Sequence, residues 1–411
     1  MLEAIQIRNF KSLKDASVNG LSKLNVFIGP NNAGKSSILH AIALIAQSIG
    51  RDMRYKGDFI DLERFRNIVY MHDENREIDL SLRFRLAADE SEKLSKIARG
   101  SPYEKLDFSS LSYSLRIVKG NIKMQYLKLS DDTVLCKVFF KEGYSYAKLA
   151  YLEKLYRINV GGYNQVLGPE KMVGWRIGKI EEVPNAFNLI NTICEIIGQK
   201  LSKIYYFSVS RRIDSREESI AAPERILPMG RDAPAFLHWV YSNRRQVFFD
   251  KIVRWAREFG IKDITSGIVE NRTYIGFIDS KLDVEVNVVD SGFGLNQLIM
   301  IVAQCFVAEP GSIIMIEEPE IHLHKMSQYK MIDMFREVAN EGKQVIMTTH
   351  SDLIFFRLWR LVRDGKLSER DVSVYYVDKT TEGTKVEKVN LREHINKLRK
   401  EYQEILGALR E

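Results

Sequence analysis

Residues Gly29-Pro30-Asn31-Asn32-Ala33-Gly34-Lys35-Ser36 satisfy every fixed position of the phosphate-loop pattern G-x-x-x-x-G-K-[ST]. Their flanks narrow the fold further. The apolar run 24–28 reads as a short buried strand, and 37–45 as a buried helix. A strand that turns through glycines into a helix aims backbone N–H groups, and the positive end of the helix dipole, at a phosphate chain. On this reading Gly29, Asn31, Asn32, Ala33, Gly34 and Ser37 form the cradle, Lys35 neutralises the β- and γ-phosphates, and the Ser36 hydroxyl ligates Mg²⁺. The pattern implies a nucleoside triphosphate site.

Composition bounds the rest. A chain of 411 residues, 45% hydrophobic and 28% charged, is long enough for two lobes or a domain with an insertion. No apolar run reaches membrane-spanning length, so no membrane partner is expected. The first residues read as a strand rather than a targeting segment. Cys136, Cys194 and Cys305 are too scattered for a disulfide framework or a metal cluster, which points to a reducing, cytoplasmic setting. The formal net charge of +7 mildly favours a polyanionic partner.

Hydrophobic period divides the chain into alternating and non-alternating parts. After the phosphate loop and its helix, strands are predicted at 77–86, 111–118, 123–129, 134–140 and 145–152. Helices follow at 187–197 and 233–259, with a strand at 203–209 between them, and β structure at 274–289. The last third alternates: helix 295–307, strand 312–316, helix 325–340, strand 344–347, helix 351–364, strands 372–377 and 385–389, and an amphipathic helix over 391–410. The fold class expected is α/β, a mixed sheet flanked by helices. Residues 1–90 and 265–411 form its head, and 90–265 an inserted β/α lobe.

Two further strand ends carry chemistry. The run Ser312–Ile316 leads into Glu317-Glu318-Pro319-Glu320. Beside a phosphate loop, the first acid holds the Mg²⁺ shell and its neighbour orients or deprotonates the attacking water. Adjacent strand residues face opposite ways, so the two share a site only if the strand ends there, and Pro319 supplies a stop. Glu317 is therefore assigned to Mg²⁺ and Glu318 to water. The strand 344–347 ends in Thr348-Thr349-His350-Ser351, where His350 is placed to bond the γ-phosphate or the lytic water.

Taken together, Asn9-Phe10-Lys11-Ser12, Gly29–Ser36, Ser291-Gly292-Phe293-Gly294, Glu317–His324 and Thr348–Ser351 resemble the ABC-type ATPases of the RecF, SMC and Rad50 group. They are most similar to the ATPase part of OLD (overcoming lysogenization defect) proteins and their stand-alone AAA-domain relatives. The resemblance spans residues 1 to about 85 and 285 to 390. It implies a P-loop fold of ABC type that hydrolyses ATP with Mg²⁺, two copies pairing head to tail around two ATP molecules. It further implies that Ser291, Gly292 and Gly294 touch the γ-phosphate held by the partner copy, and that Phe10 and Lys11 lie near the base or ribose. The signature departs from the Leu-Ser-Gly-Gly-Gln form of transporters, and Lys325 follows His324 where relatives carry proline. No glutamine is assigned to the Mg²⁺-sensing position after the first helix.

Spacing separates the branches of that group. Lys35 and Ser291 are 256 positions apart with no sustained heptads between them, which suits neither a transporter ATPase nor a coiled-coil arm. The 61 residues after His350 lack the paired Asp-x-Asp of a Toprim nuclease, so an ATPase without its own nuclease is expected. Its role is read as DNA maintenance, repair or defence against foreign DNA. The alternative is a nucleotide-gated clamp that regulates a separate nuclease or effector such as a toxin. Arg211, Arg212, Arg216, Arg225, Arg231, Arg244 and Arg245 recur near Tyr205, Tyr206, Phe207 and Trp239. They fit a solvated face interleaved with Asp214, Glu217, Glu218 and Glu224, or a nucleic-acid contact; the alternative for Arg211-Arg212 is an arginine that approaches the nucleotide.

Overall fold

The computed structural model describes residues 1–50, 53–141, 144–150, 155–158, 184–223, 225–242 and 246–408. The chain forms two compact units. The first comprises Met1–Leu21, Gly29–Ile204 and Val377–Glu387; the second comprises Ser22–Ile28, Tyr205–Tyr376 and Lys388–Glu411. These limits fall at other points than 90 and 265, the borders expected for an inserted lobe.

The first unit is built on one antiparallel sheet. Its strands are β1 (Leu2–Phe10), β2 (Leu13–Asn19), β4 (Ile78–Arg85), β5 (Ser110–Val118), β6 (Asn121–Leu129), β7 (Val134–Lys141), β8 (Tyr144–Leu149) and β9 (Leu155–Ile158). They lie in the order β2-β1-β4-β5-β6-β7-β8-β9. The β-rich stretch thus extends the sheet begun at the N-terminus instead of starting a separate one. Alternation sets its faces: Ile78, Leu80, Leu82 and Phe84 are buried while the residues between them are partly exposed. Among the described residues this unit has the α-helices α1 (Lys35–Gln47), α2 (Phe65–Ile68), α3 (Ala88–Ala98) and α4 (Pro184–Ser202).

In the second unit a sheet runs in the order β10 (Ile204–Phe207), β15 (Ile313–Glu317), β16 (Gln344–Thr348), β3 (Leu24–Ile28) and β17 (Val372–Thr380). The strands β15, β16 and β3 are buried at every residue, as strands covered on both faces must be. Next to β17 lies β18 (Gly383–Val389), which forms a hairpin with it. A smaller sheet joins β11 (Glu218–Ser219), β12 (Ile261–Val269), β13 (Arg272–Asp279) and β14 (Glu285–Asn287). The helices are α5 (Ala233–Ser242), α6 (Gln246–Glu258), α7 (Phe293–Val307), α8 (Lys325–Asn340), α9 (Asp352–Arg363) and α10 (Leu391–Ala408). The pattern read as one helix over 233–259 is two, α5 and α6. Helix α7 is buried almost all round, against Ile316, Phe335 and Met347 in the same core. Among the described residues no helix is long and apolar enough to cross a membrane.

Candidate nucleotide site

Three parallel strands of the second unit, β15, β16 and β3, end level, beside a fourth, β17, that runs on. Glu317 of β15 registers with Thr348 of β16, Thr348 with Phe27 of β3, and Phe27 with Tyr375 of β17. The segments after Glu317, Thr348 and Ile28 therefore leave the sheet at one edge, the carboxyl end where open α/β sheets hold their ligands. Two of those segments carry the acids and the histidine. The third begins the phosphate loop.

In the first unit the loop has the conformation its glycines permit. Gly29 has φ 143° and Gly34 φ 106°, values that side chains rarely adopt. A Cβ on Gly29 would lie 1.9 Å from the Val377 carbonyl oxygen, and one on Gly34 2.6 Å from Ser12 Oγ. Thr384 buttresses the loop by donating from Oγ1 to the Ala33 carbonyl at 2.8 Å. Pro30, Asn31 and Asn32 are exposed, and Ser36 and Ser37 are half-buried at the start of α1. Buried Lys35 donates from Nζ to the carbonyls of Gly29 at 2.9 Å and Pro30 at 2.8 Å. The ammonium is thus already folded back over its own loop.

The N-terminal motif divides. Phe10, expected beside the base or ribose, has no exposed surface, because its ring completes the core under β1; this corrects the expectation. Lys11 is half-buried, with Nζ 2.6 Å from His40 Nδ1 on α1. Ser12 bonds the Thr384 hydroxyl at 2.9 Å, so it supports the loop.

The acidic strand end splits its two glutamates by backbone geometry. The strand β15 stops at Glu317, which is buried. Glu318 has φ 42°, a left-handed conformation, so its side chain is freed from strand alternation. Its N–H donates to the Thr348 carbonyl at 3.0 Å. The Glu318 carboxylate is 3.5 Å from His350 Nε2, and both side chains are about one-third exposed (31% and 34%), open enough to meet a ligand. His350 also lines an open cavity of about 600 Å³ with Lys325, Gln328, Ser351 and Tyr402.

Three residues support the acids in roles that the sequence did not single out. Arg211, fully buried, donates to the carbonyls of Ser208 at 2.9 Å, Glu317 at 2.7 Å and Glu318 at 3.0 Å. Burial pulls its guanidinium down to about 10, against the opposing pull of the Glu320, Glu317 and Glu318 carboxylates. Glu320, also buried, accepts from Thr349 Oγ1 at 2.6 Å and from the His350 N–H at 2.8 Å. Its burial raises its carboxyl above the usual range, and Oε2 has no hydrogen-bond partner among the described residues. Tyr206, on β10, hydrogen-bonds Glu317; burial pushes its hydroxyl well above the usual range. A lone arginine and the last acid of an acidic run carry no spacing signal that separates them from surface charge.

Three of the other arginines are engaged within the chain, and Arg231 is exposed. Arg212 stacks on Phe293 at 4.4 Å, Arg225 on Tyr205 at 5.1 Å, and Arg216 pairs with Asp290 at 2.5 Å. Glu224, Arg244 and Arg245 lie outside the described residues. The signature segment opens α7: Ser291 Oγ donates to the Val288 carbonyl at 2.6 Å, and Gly292, exposed, is the N-cap. Gly294 is needed for packing, since a Cβ there would lie 2.4 Å from the His322 carbonyl oxygen. Phe293 between them is half exposed (50%).

The protein family described as AAA ATPase domain matches residues 1–221 and 182–355. An ATP/GTP phosphatase of Helicobacter pylori is 26% identical over 153 residues, 32% of this chain and 40% of that protein. An OLD nuclease of Thermus scotoductus is 38% identical over 71 residues, 16% of this chain and 13% of that protein. The chain spans less than half the length of these curated relatives. Among solved structures, an Smc head bound to the C-winged helix domain of ScpA matches 96% of this chain and 99% of its own, with a TM-score of 0.54 at 12% identity, a likeness of fold.

Proposed function

This chain belongs to the AAA ATPase domain family, among the ABC-type ATPases of the RecF, SMC and Rad50 group, and on that premise we propose that it hydrolyses ATP and pairs with a second copy while ATP is bound. The observation that carries the reading is the level ending of β15, β16 and β3, which starts the phosphate loop, the acids and the histidine from one sheet edge.

Lys35 leaves the carbonyls of Gly29 and Pro30 for the β- and γ-phosphates, while the N–H groups from Gly29 to Ser37 wrap the chain of phosphates. The donor set fits Mg²⁺: Ser36 and Glu317 offer hard oxygens, and this ion keeps most of its shell for phosphate and water. Bound Mg²⁺ would neutralise charge on the β- and γ-phosphates. Glu318 orients the attacking water and accepts its proton, and His350 bonds the γ-phosphate. Ser291, Gly292 and Gly294 complete the partner's site, with α7 aiming its N-terminus at the phosphate. The role we propose is DNA maintenance, repair or defence against foreign DNA.

The test measures phosphate release and solution mass with ATP for wild type, Lys35→Ala and Glu318→Gln. Lys35→Ala is expected to lose binding and turnover. Glu318→Gln should bind ATP, hydrolyse it at least a hundredfold more slowly and accumulate at twice the protomer mass. Wild-type turnover by Glu318→Gln, or a mass that never doubles, overturns the reading.

A further inference from the structure

The outer half of the first unit's sheet has an unusual charge pattern. Among the residues whose side chains are described, strands β5 to β8 carry Arg116, Lys123, Lys128, Lys137 and Lys148, and not one Asp or Glu. A merely solvated sheet face mixes both signs. Cross-strand register sharpens the point. Lys137 of β7 lies directly opposite Lys148 of β8, and Tyr126 of β6 lies opposite Lys137. Like charges placed opposite each other destabilise a sheet. Among the described residues, Lys128, Lys137 and Lys148 make no ion pair that would relieve them.

The same face carries aromatic rings. Lys128 and Lys137 lie 6.0 Å and 5.7 Å from the centre of the Tyr126 ring. On the neighbouring strands Phe139 and Tyr146 stack at 5.8 Å with 23° between their planes. All three rings are partly exposed. The face continues into an open trough of about 550 Å³ lined by Ser81, Ser114, Arg116, Tyr126 and Lys128. Two acids, Asp15 and Asp79, also line it, and Asp79 is paired with Arg116 at 2.6 Å.

We infer that the β5–β8 face binds single-stranded nucleic acid, with Lys128, Lys137 and Lys148 on phosphates and Tyr126, Phe139 and Tyr146 stacking on bases. A polyanion removes the Lys137–Lys148 repulsion, which accounts for two lysines being opposed. The rings select a single strand, because paired bases in a duplex do not offer their faces to a side chain. The inference stands on this sheet alone and is independent of the nucleotide chemistry.

The test is fluorescence anisotropy of a labelled oligo(dT) of about 20 nucleotides, longer than one such site, without added ATP and between about 50 and 200 mM salt. The double variant Lys137→Gln/Lys148→Gln is expected to lower the log–log salt slope by about 1.4, from about 0.7 per phosphate contact. Phe139→Ala should weaken binding about fivefold or more. The melting temperature of the lysine variant should equal or exceed wild type, because the repulsion is gone. An oligo(rU) of the same length is expected to compete, and a duplex or a poly-glutamate peptide to compete poorly. An unchanged salt slope, or displacement of oligo(dT) by duplex or poly-glutamate as efficient as by oligo(dT) itself, overturns the proposal.

Discussion

Replacing Arg211 by methionine tests the idea that a buried cation holds the catalytic acids in place. Three charge-assisted bonds to the carbonyls of Ser208, Glu317 and Glu318 would be lost. Each is worth about 1.5–3 kcal/mol, so the gross loss is roughly 5–9 kcal/mol. Burial opposes this: a guanidinium pulled from 12.5 to about 10 costs roughly 3 kcal/mol to keep charged. The net destabilisation expected is about 2–5 kcal/mol, in the range for breaking a buried ionic network. With a urea slope of roughly 1–3 kcal/mol per molar, the midpoint should fall by about 1–2 M. Tryptophan fluorescence reports mainly on this unit, because three of the four tryptophans, Trp239, Trp255 and Trp359, lie in it. Turnover measured well below the transition should also fall, by tenfold or more, as the acids lose their fixed position. Arg211→Lys keeps the charge but cannot fork to three carbonyls, so it should recover only part of both losses. If Arg211→Met unfolds at the wild-type urea concentration and hydrolyses ATP at the wild-type rate, the buried arginine neither stabilises this unit nor positions its acids.

Three other outcomes follow from the geometry. Glu320→Gln keeps an oxygen for Thr349 and His350 and removes a carboxyl that burial holds above its usual range. A carboxyl raised in the folded state stabilises below the unfolded value near 4.5 and loses that contribution as pH rises, so the variant's melting temperature relative to wild type should be higher at pH 7.5 than at pH 4.5. Gly294→Ala places a Cβ 2.4 Å from the His322 carbonyl oxygen and should destabilise the second unit by about 1–3 kcal/mol in the same urea assay. Gly34→Ala combines φ 106° with a Cβ 2.6 Å from Ser12 Oγ, and should abolish ATP binding measured by calorimetry while the second unit's tryptophan transition stays within about 0.5 kcal/mol.

Much of this fold could be read because its signals are local. The run Leu24–Ile28 and the pattern Lys325–Asn340 carry clean periods and become β3 and α8 at those limits. Helix α3 was not expected, since only Leu94 and Ala98 are buried and the rest of its surface is charged or polar, which leaves almost no apolar stripe. Strand β12 escaped for the opposite reason: Asp263, Thr265, Ser266 and Gly267 dilute its alternation, and pairing with β13 supplies what its own sequence lacks. The site divides in the same way. Phosphate loop, acids and histidine are contiguous motifs, whereas Arg211 meets Glu317 across 106 positions and Ser12 meets Thr384 across 372. Contacts at such separation leave no mark in local spacing. Phe10 failed as a ligand contact because a motif match fixes neighbours in sequence, and burial is set by the whole sheet.

The left-handed backbone at Glu318 links these observations. A non-glycine residue there is strained by about 1–3 kcal/mol and persists only where its surroundings over-determine it. Those surroundings are on hand: the Glu318 N–H is held by the Thr348 carbonyl, and its own carbonyl by Arg211. Glycine would adopt the turn freely but would bring no carboxylate to His350. In an extended conformation, Glu318 would project from the face of the strand opposite Glu317, and the two acids could not serve one phosphate chain. The buried arginine and the strained glutamate are thus two parts of one device. Its cost appears as a guanidinium pulled down by burial, and its product is a pair of adjacent acids that can take the separate roles proposed for them.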